Sequence, residues 1–275
     1  MKRELAITWV LLAVTAGPAA AEPTVPAPPA PRVLNVPTAH LQGSGRLFLT
    51  AGGSAVPERD PFAAITFGLG GLADVDVEMH DRVGNCADCT GDRRAAASIA
   101  TVTGGFKVGL PEGRLATWQP ALALGLRAPI GSRTIAGAGG DRQLRAARMT
   151  LMASRTLRPL ELHAGAEIWD AAASGPGGDV FLHERSLGAR VRPYLGLAWN
   201  PPIYPRTRLL VDGSFAPVVD GDTIALRWML DWGVRYQVTR WGSVELDVRH
   251  REGDRLGDTD VLIRANAAVD LLRGR

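Results

Sequence analysis

Cysteine is nearly absent from this sequence, and its scarcity excludes one class of metal site. The 275 residues contain only Cys86 and Cys89, whereas a structural zinc site needs four ligands. In an exported protein this pair predicts a disulfide that tightens a loop, because compartments outside the cytoplasm are oxidising. Free or catalytic thiols and a metal site are the alternatives. Nearby acids at positions 81, 88 and 92 match no cation-binding loop and are predicted to be solvated, so we predict no metal and no cofactor.

Long apolar runs are also scarce. A membrane-spanning helix needs about 20 apolar residues. The uncharged apolar run Leu5–Ala16 has only about 12 before Gly17 and Pro18 end it. Because Lys2 and Arg3 precede this stretch and Ala19–Ala21 follow it, residues 1–21 are predicted to be a signal peptide that is cleaved after Ala21. The mature chain is therefore predicted to be exported.

Blocks of one charge and short catalytic motifs are absent too. The net charge is +3 and the pI about 9.2, but arginines and acids interleave within the same segments, which gives no basic patch for nucleic acid. Neither Gly-x-Ser-x-Gly nor His-Glu-x-x-His occurs. We predict no nucleic-acid partner and no enzymatic activity.

What the sequence does contain is apolar alternation with a period of two. Three C-terminal runs place apolar residues on one face and charged or small residues on the other: Ile224–Val238, Val244–Val248 and Val261–Leu271. The first and third runs exceed the five or six residues of an ordinary strand and are long enough for the 9 to 11 of a tilted membrane strand. Similar runs upstream bring the total to about 12. The predicted fold is all-β, a transmembrane antiparallel up-and-down β-barrel.

The connections between these runs give an independent check. Alternate connections are short, such as Gly70–Gly71 and Leu157–Pro159. Most of the others, a set that includes a predicted loop at residues 217–222, are longer and rich in Gly and Asp, as expected for periplasmic turns and extracellular loops. Residues 22–44 begin with a proline-rich stretch and are predicted to be a periplasmic tail; residues 45–275 form the barrel. An aromatic girdle is predicted near the turns, from Trp118, Trp199, Tyr204, Tyr236 and Trp241.

The polar face of each predicted strand should line the lumen. Its charged members are candidate functional residues: Asp74, Asp76, Glu78, Lys107, Arg127, Arg148, Glu161, His163, Glu167, Arg190, Arg192, Arg208, Asp212, Arg227, Asp231, Arg235, Glu245, Asp247, Arg249 and Arg264. Opposed charges inside a barrel can pair and plug it, or they can line a water-filled path for ions. The pattern leaves both arrangements open.

Several segments resemble a known family. Phe106–Leu110, Gln119–Arg127 and Leu151–Arg155, together with Asn35–Leu41 ahead of the first strand, resemble the YjbH-like outer-membrane barrels that are associated with exopolysaccharide. The similarity covers residues 35–215. It implies a barrel fold and an envelope location, with polysaccharide-export components as partners. The chain differs from such barrels in that its last residues contain no aromatic side chain.

These patterns favour a non-enzymatic barrel in the outer membrane of a Gram-negative bacterium. It would be a narrow channel or an envelope component in surface-polymer export, with outer-membrane lipid and the barrel-assembly machinery as partners. A secreted soluble β-sandwich is the alternative, and it predicts that Trp228 and Trp232 are buried against a second sheet. A lipid- or peptide-hydrolysing barrel is the third hypothesis, because His163 shares a face with Glu161 and Glu167.

Overall fold

The computed structural model describes most of the chain after the proline-rich stretch. The described residues are 30–56, 61–85, 97–135, 142–174, 184–220, 223–255 and 259–272. The predicted signal peptide and the predicted Cys86–Cys89 disulfide lie outside these ranges. These ranges contain no helix with the length and apolarity needed to cross a membrane.

The described residues form thirteen strands. Their bounds are β1 (Arg46–Val56), β2 (Pro61–Leu69), β3 (Ala73–Asn85), β4 (Ala97–Leu110), β5 (Ala121–Pro129), β6 (Arg133–Ile135), β7 (Arg142–Leu157), β8 (Leu160–Ser174), β9 (Glu184–Trp199), β10 (Thr207–Asp220), β11 (Thr223–Thr239), β12 (Gly242–Arg251) and β13 (Asp260–Asp270).

Twelve of these strands close into an antiparallel barrel. Each wall strand pairs with its neighbour in sequence, β1 pairs with β13, and β5 pairs with β7 to complete the ring. The short β6 pairs only with one end of β7. The sequence prediction of a transmembrane antiparallel barrel of about 12 strands is confirmed.

The side chains follow the predicted alternation. Outward residues are large, apolar and exposed, including Val75, Phe106, Leu195 and Leu246, while their neighbours Asp74, Lys107 and Asp247 are buried in the lumen. Trp228 and Trp232 remain 42% and 41% exposed. The soluble sandwich is therefore wrong, because no second sheet covers this face in the described residues.

The two ends of the barrel differ in their connections. At the end where β1 begins, which we call the turn end, β7 joins β8 through residues 158–159 and β11 joins β12 through 240–241. The opposite end, the loop end, has mostly longer connections. The five predicted girdle aromatics are all exposed at or near the turn end: Trp118, Trp199, Tyr204, Tyr236 and Trp241.

The loop between β10 and β11 is shorter than the sequence predicted. Residues 217–222 were predicted to form a loop, but β10 continues through Pro217 to Asp220 and β11 begins at Thr223. Proline is tolerated in a strand whose edge has no partner. β10 has such an edge, since its pairing with β9 ends at the Gly213–Leu195 pair. Beyond it, Val218 and Val219 pair with Gly84 and Asn85 of β3.

Residues 30–44 do not extend away from the barrel as a periplasmic tail. The structure places them inside the lumen, where Val33, Leu34, Asn35 and Val36 are each at most 2% exposed. The prediction took the prolines before this segment as evidence that the whole of residues 22–44 is extended. Val33, Leu34 and Val36 have apolar side chains, and residues 33–36 all have backbone donors; both find partners inside the barrel.

Candidate functional site

The lumen is filled by residues 30–43, which we call the plug. The plug is a compact loop: the amide of Val33 donates to the carbonyl of Val36 at 3.0 Å, and that of Thr38 to the carbonyl of Pro31 at 2.9 Å. The Thr38 hydroxyl also donates to the carbonyl of Ala30 at 2.9 Å. These bonds leave the amides of residues 34–36 pointing outward, toward the barrel wall.

A single carboxylate on the wall receives those amides. Oδ2 of Asp212, on β10, accepts from the backbone N–H groups of Leu34, Asn35 and Val36 at 3.0, 2.7 and 3.1 Å. Asp212 is 1% exposed. Hydrogen bonds to a charged group are worth about 1.5–3 kcal/mol each, more than neutral ones. Asp212 is therefore the strongest single attachment of the plug to the wall.

Three arginines donate hydrogen bonds to oxygen atoms of the same turn. Arg235 donates to the carbonyl of Val33 at 2.7 Å, and Arg264 donates to that of Leu34 at 2.6 Å. Arg249 donates to the side-chain oxygen of Asn35 at 2.6 Å. Each guanidinium is also held by a carboxylate of the wall, respectively Glu245, Asp247 and Asp231. The backbone N–H groups of this turn thus contact a carboxylate, and its carbonyl oxygens contact guanidinium groups that the wall holds in place.

The wall residues that hold residues 33–36 of the plug, which we call the seat, also include apolar side chains. Val33, Leu34 and Val36 form one buried cluster with small and medium wall residues: Ala121, Ala123, Met152, Tyr194, Ala198 and Leu210. The wall comes closest at Gly196, where an added Cβ would lie 2.8 Å from a methyl of Val36 and 2.9 Å from one of Val33. Glycine at this position is what allows the plug to lie against β9.

The C-terminal part of the plug is attached to other strands. The amide of Ala39 donates to the Ser154 hydroxyl at 2.8 Å, and that of Gln42 to Asp74 at 2.9 Å. Lys107, which pairs with Asp74 at 3.1 Å, donates to the carbonyl of His40 at 2.6 Å. The plug thus bridges opposite sides of the barrel.

A second ion network lies beside the plug. Glu78 pairs with Arg32 of the plug and with Arg127, and Glu167 pairs with Arg148 at 3.4 Å and with Arg192. The space left between this network and the plug has a volume of about 50 Å³, room for only a few waters. The described residues therefore close the middle of the lumen.

The loop end of the lumen is apolar. Inward residues of β7 and β8 form a buried cluster with Leu187 and Ile224: Leu144, Ala146, Trp169, Ala171 and Ala173. Ile224 was expected to face outward with the rest of its run. It is buried instead because this end of β11 lies near β9, where Arg190 donates to the Ile224 carbonyl at 3.2 Å. The lumen is thus charged in its middle and apolar near the loops.

Most of the charged residues expected in the lumen are buried there. Those 9% exposed or less are Asp74, Glu78, Lys107, Arg148, His163, Glu167, Arg192, Asp212, Asp231, Glu245, Asp247, Arg249 and Arg264. Asp76, Arg127, Glu161, Arg208, Arg227 and Arg235 are half-buried. Arg190 is exposed near the loop end.

Sequence reasoning missed the plug and the uncharged wall residues that contact it, such as Ser154 and Gly196. The apolar residues Val33, Leu34 and Val36, which follow the prolines, were the available signal, since an extended tail in water gains nothing from them. Gly196 gave a second signal, because a glycine on the lumen face of a strand often marks a close approach of another backbone.

Two histidines and a glutamate meet where the plug passes β8 near the turn end. The ligand atoms of His40, Glu161 and His163 lie within 4.8 Å of one another, and each histidine places Nε2 3.8 Å from Oε2 of Glu161. The two rings pack edge to face with centroids 5.5 Å apart. Burial holds the pKa of His40 below its ordinary value, although Glu161 opposes this.

The same place brings a serine to a histidine. Nδ1 of His163 lies 2.8 Å from Oγ of Ser154, a contact that a hydrolase uses between nucleophile and base. Ser154 is 1% exposed, and its oxygen already accepts the amide of Ala39. With the plug seated, a substrate has no path to this oxygen.

Comparison with known proteins adds little to this geometry. No protein-family model and no curated protein matches the sequence. The translocator domain of the autotransporter NalP from Neisseria meningitidis is similar with a TM-score of 0.46 and 10% identity, over 82% of this chain and 88% of that one. A loop-deletion mutant of OmpT, an outer membrane protein of Vibrio cholerae, gives a TM-score of 0.38 and 11% identity, over 82% and 97% of the two chains. A porin gives 0.36 and 12%, over 78% and 64%.

Identities of 10–12% and TM-scores below 0.5 assign this chain to no family. The resemblance to the YjbH-like barrels stays a prediction.

Proposed function

We propose that this chain is an outer-membrane channel that its own plug, residues 30–43, closes at rest. The observation that carries the proposal is the seat of the plug. Asp212 accepts three consecutive backbone amides, while Arg235 and Arg264 donate to the carbonyls of the same turn. A segment held only by lumen side chains can leave without breaking the ladder of the barrel.

The outer surface supports the membrane location. Lipid offers no hydrogen bonds, so only helices and closed barrels span a bilayer. This barrel is closed, and its outward face carries exposed apolar residues on strands around its circumference, such as Ile65, Leu151, Val191 and Ile263. The turn end, with its aromatic side chains, would face the periplasm of a Gram-negative bacterium.

The contacts of the plug support a reversible closure. Its hydrogen bonds to charged groups are strong while water is excluded, but water can replace them once the plug moves. The apolar part of the seat is small, consisting mainly of Val33, Leu34 and Val36. A force or a ligand that pulls on the plug would meet no covalent or strand-pairing barrier in the described residues, apart from the bridge between Arg32 and Pro37 inside the plug itself.

Conductance of the refolded protein in planar bilayers tests the proposal. We expect the wild-type protein to be closed for most of the time. Asp212→Ala leaves three buried amides without their carboxylate, at a cost of about 1–3 kcal/mol for each amide left unsatisfied, and should increase the open time. The matched control is Asp270→Ala, since Asp270 pairs with Arg46 outside the plug. Equal open time in all three proteins would contradict a plugged channel.

The resemblance to exopolysaccharide-associated barrels suggests what the channel serves. We propose a role in surface-polymer export on the basis of that resemblance. Deleting the gene should reduce surface polymer, and the wild-type gene should restore it. Unchanged polymer would leave the channel without this role.

One contact favours hydrolysis as a second candidate function. Ser154 and His163 are 2.8 Å apart, and removal of the plug would expose them. We nevertheless propose that the barrel is not an enzyme. The Ser154 hydroxyl has a structural role that explains its position, because it accepts the amide of Ala39 and so anchors the plug. A serine-reactive fluorophosphonate probe should fail to label the wild-type protein and the Asp212→Ala variant. Labelling of the variant that His163→Ala abolishes would favour a hydrolase.

A further inference from the structure

The cluster of His40, Glu161 and His163 is more than an ion pair between plug and wall. Glu161 already has a cationic partner, because Arg208 contacts its Oε1 at 3.1 Å and its Oε2 at 3.5 Å. Oε2 also faces both imidazoles, at 3.8 Å from each Nε2. This distance is too long for a hydrogen bond, so the three groups converge without bonding to one another.

Their chemistry suits a transition metal. Two imidazole nitrogens and a carboxylate oxygen are a common protein ligand set for Zn²⁺, with bonds of about 2.0–2.2 Å and a fourth position left for water. Tetrahedral bonds of that length place ligand atoms roughly 3.3 Å apart. Each histidine Nε2, 3.8 Å from Oε2 of Glu161, would need to approach it by about half an ångström around an ion. The ligand atoms of the two histidines lie within 4.8 Å and would need to approach by at most about 1.5 Å.

The surrounding groups orient the ligands as a metal site requires. Nδ1 of His163 contacts the Ser154 hydroxyl at 2.8 Å, which leaves Nε2 for the ion if Nδ1 carries the proton. Such an outer contact typically fixes the tautomer of a ligating histidine. Arg208 holds the Glu161 carboxylate in place through both oxygens, at 3.1 Å from Oε1 and 3.5 Å from Oε2. The His40 and Glu161 side chains are 17% and 16% exposed, which gives an ion a route from the turn end.

The ligands come from two parts of the chain that the proposed opening would separate. His40 belongs to the plug, whereas Glu161 and His163 belong to β8. An ion bound by all three would join the plug to β8, in addition to its attachment to Asp212 on β10. Metal binding would therefore favour the closed state.

We propose that His40, Glu161 and His163 form a binding site for a divalent transition-metal ion, Zn²⁺ by ligand chemistry, which fastens the plug to β8. Binding itself depends on the plug being seated. The effect of the ion on conductance rests also on the proposed channel function.

Zinc binding to the refolded, tag-free protein tests the site directly. Titration calorimetry and metal analysis should give one Zn²⁺ per wild-type chain. His40→Gln and His163→Gln should each weaken binding by about tenfold or more, since even supporting groups of metal sites cost about 10–100-fold. His250→Gln is the matched control, because His250 contacts Thr259 and belongs to no such cluster in the described residues. Its binding should equal that of the wild type.

Three results would overturn the site: no zinc binding by folded wild-type protein, equal binding by the His40→Gln variant, or equal loss in the His250→Gln variant. Heat-modifiable gel mobility reports folding for each protein. The His40→Gln change lies in the plug and leaves every wall strand unaltered, so it remains informative if His163→Gln does not fold.

Conductance then separates the two proposals. Zn²⁺ added on the turn side should reduce the open time of the Asp212→Ala channel but not that of the Asp212→Ala, His40→Gln double variant. If zinc binds but leaves the open time unchanged, the site stands and its regulatory role falls. If no variant ever conducts, the channel proposal fails while the binding result stands.

Discussion

At the scale of residues, ion pairs on the lumen wall also bind the backbone of the plug. Arg264 contacts Asp247 at 2.6 Å and the Leu34 carbonyl at 2.6 Å, so one guanidinium serves both the wall and the plug. Replacing one member of such a buried set leaves another charge unpaired, which is costly. The sequence identified these residues by their alternation with apolar ones. It gave no sign that a third group, the plug backbone, would share them.

Gly196 offers the sharpest test of the seat. An added Cβ would meet methyl groups of Val33 and Val36 at 2.9 and 2.8 Å, so we expect Gly196→Ala to destabilise the seated plug by about 1–3 kcal/mol, as overpacking usually does. Protease accessibility of the plug in refolded protein measures the effect.

Gly213 on the neighbouring strand provides the control. Its added Cβ would meet nothing within 4 Å, and Gly213→Ala should leave cleavage unchanged. Equal cleavage of the plug in both variants would mean that contact with β9 does not hold it.

His40 should make the plug sensitive to acid. Burial lowers the pKa of this histidine, so the folded state binds a proton less readily than the unfolded chain, whose histidine titrates near 6.5. The resulting stability is fully present above that value and is lost as pH falls below it, toward the lower folded pKa. The charged groups around His40 are Glu161, Lys107, Glu112 and Arg208, with His163 beside it.

Cleavage of the plug by an acid-active protease, followed from pH 7 to pH 5, measures how the stability of the seated plug depends on pH. We expect cleavage to rise more steeply in the wild type than in His40→Gln, because the variant retains the carboxylates but lacks the imidazole. Identical slopes would assign the acid sensitivity to other groups.

At the scale of elements, the sequence located the strands well but not their ends. Period-two alternation is a property of the strand interior, so Ile224–Val238 was recognisable. Strand ends depend on pairing partners that are distant in sequence. Pro217 marked a loop by its own propensity, yet it lies within β10 because the neighbouring edge is unpaired there. Pro193 of β9 lies just past the last pair of that ladder and has no N–H to extend it.

The interrupted ladder predicts uneven protection along β10. Its residues 207–213 pair with β11, and from residue 209 also with β9, whereas residues 214–217 pair with β11 alone. Hydrogen exchange of the refolded protein should therefore be faster over 214–217 than over 209–213. β8 serves as the internal reference, since β7 and β9 pair with it along both of its halves. Uniform protection along β10 would contradict the interruption.

At the scale of the whole molecule, the barrel was predictable and its contents were not. The outward face needs only one property, apolarity, which a single sequence displays directly. The lumen depends on which residues meet across a closed ring: Asp212 is some 178 residues from Leu34, and Arg264 is 230 residues from it. Such pairings follow from the strand number and register. The choice between an open and a plugged lumen therefore required the structure.

A disulfide that locks the plug to the wall tests this account most directly. An added Cβ at Gly196 would lie 3.5 Å from the Cβ of Val33, within the usual range of about 3.5–4.5 Å for a disulfide. The protein to use carries Val33→Cys and Gly196→Cys, with Cys86 and Cys89 replaced by serine and Asp212→Ala added to favour opening. A methyl of Val36 must turn aside to admit the new side chain.

The measurement is single-channel conductance of this protein before and after a reducing agent is added. If residues 30–43 close the lumen, the barrel should stay closed while the disulfide is intact and should open after its reduction, whereas the same protein without Val33→Cys should open under both conditions. Conductance through the oxidised protein, with the disulfide shown by mass spectrometry to be formed, would contradict the claim that residues 30–43 close the lumen.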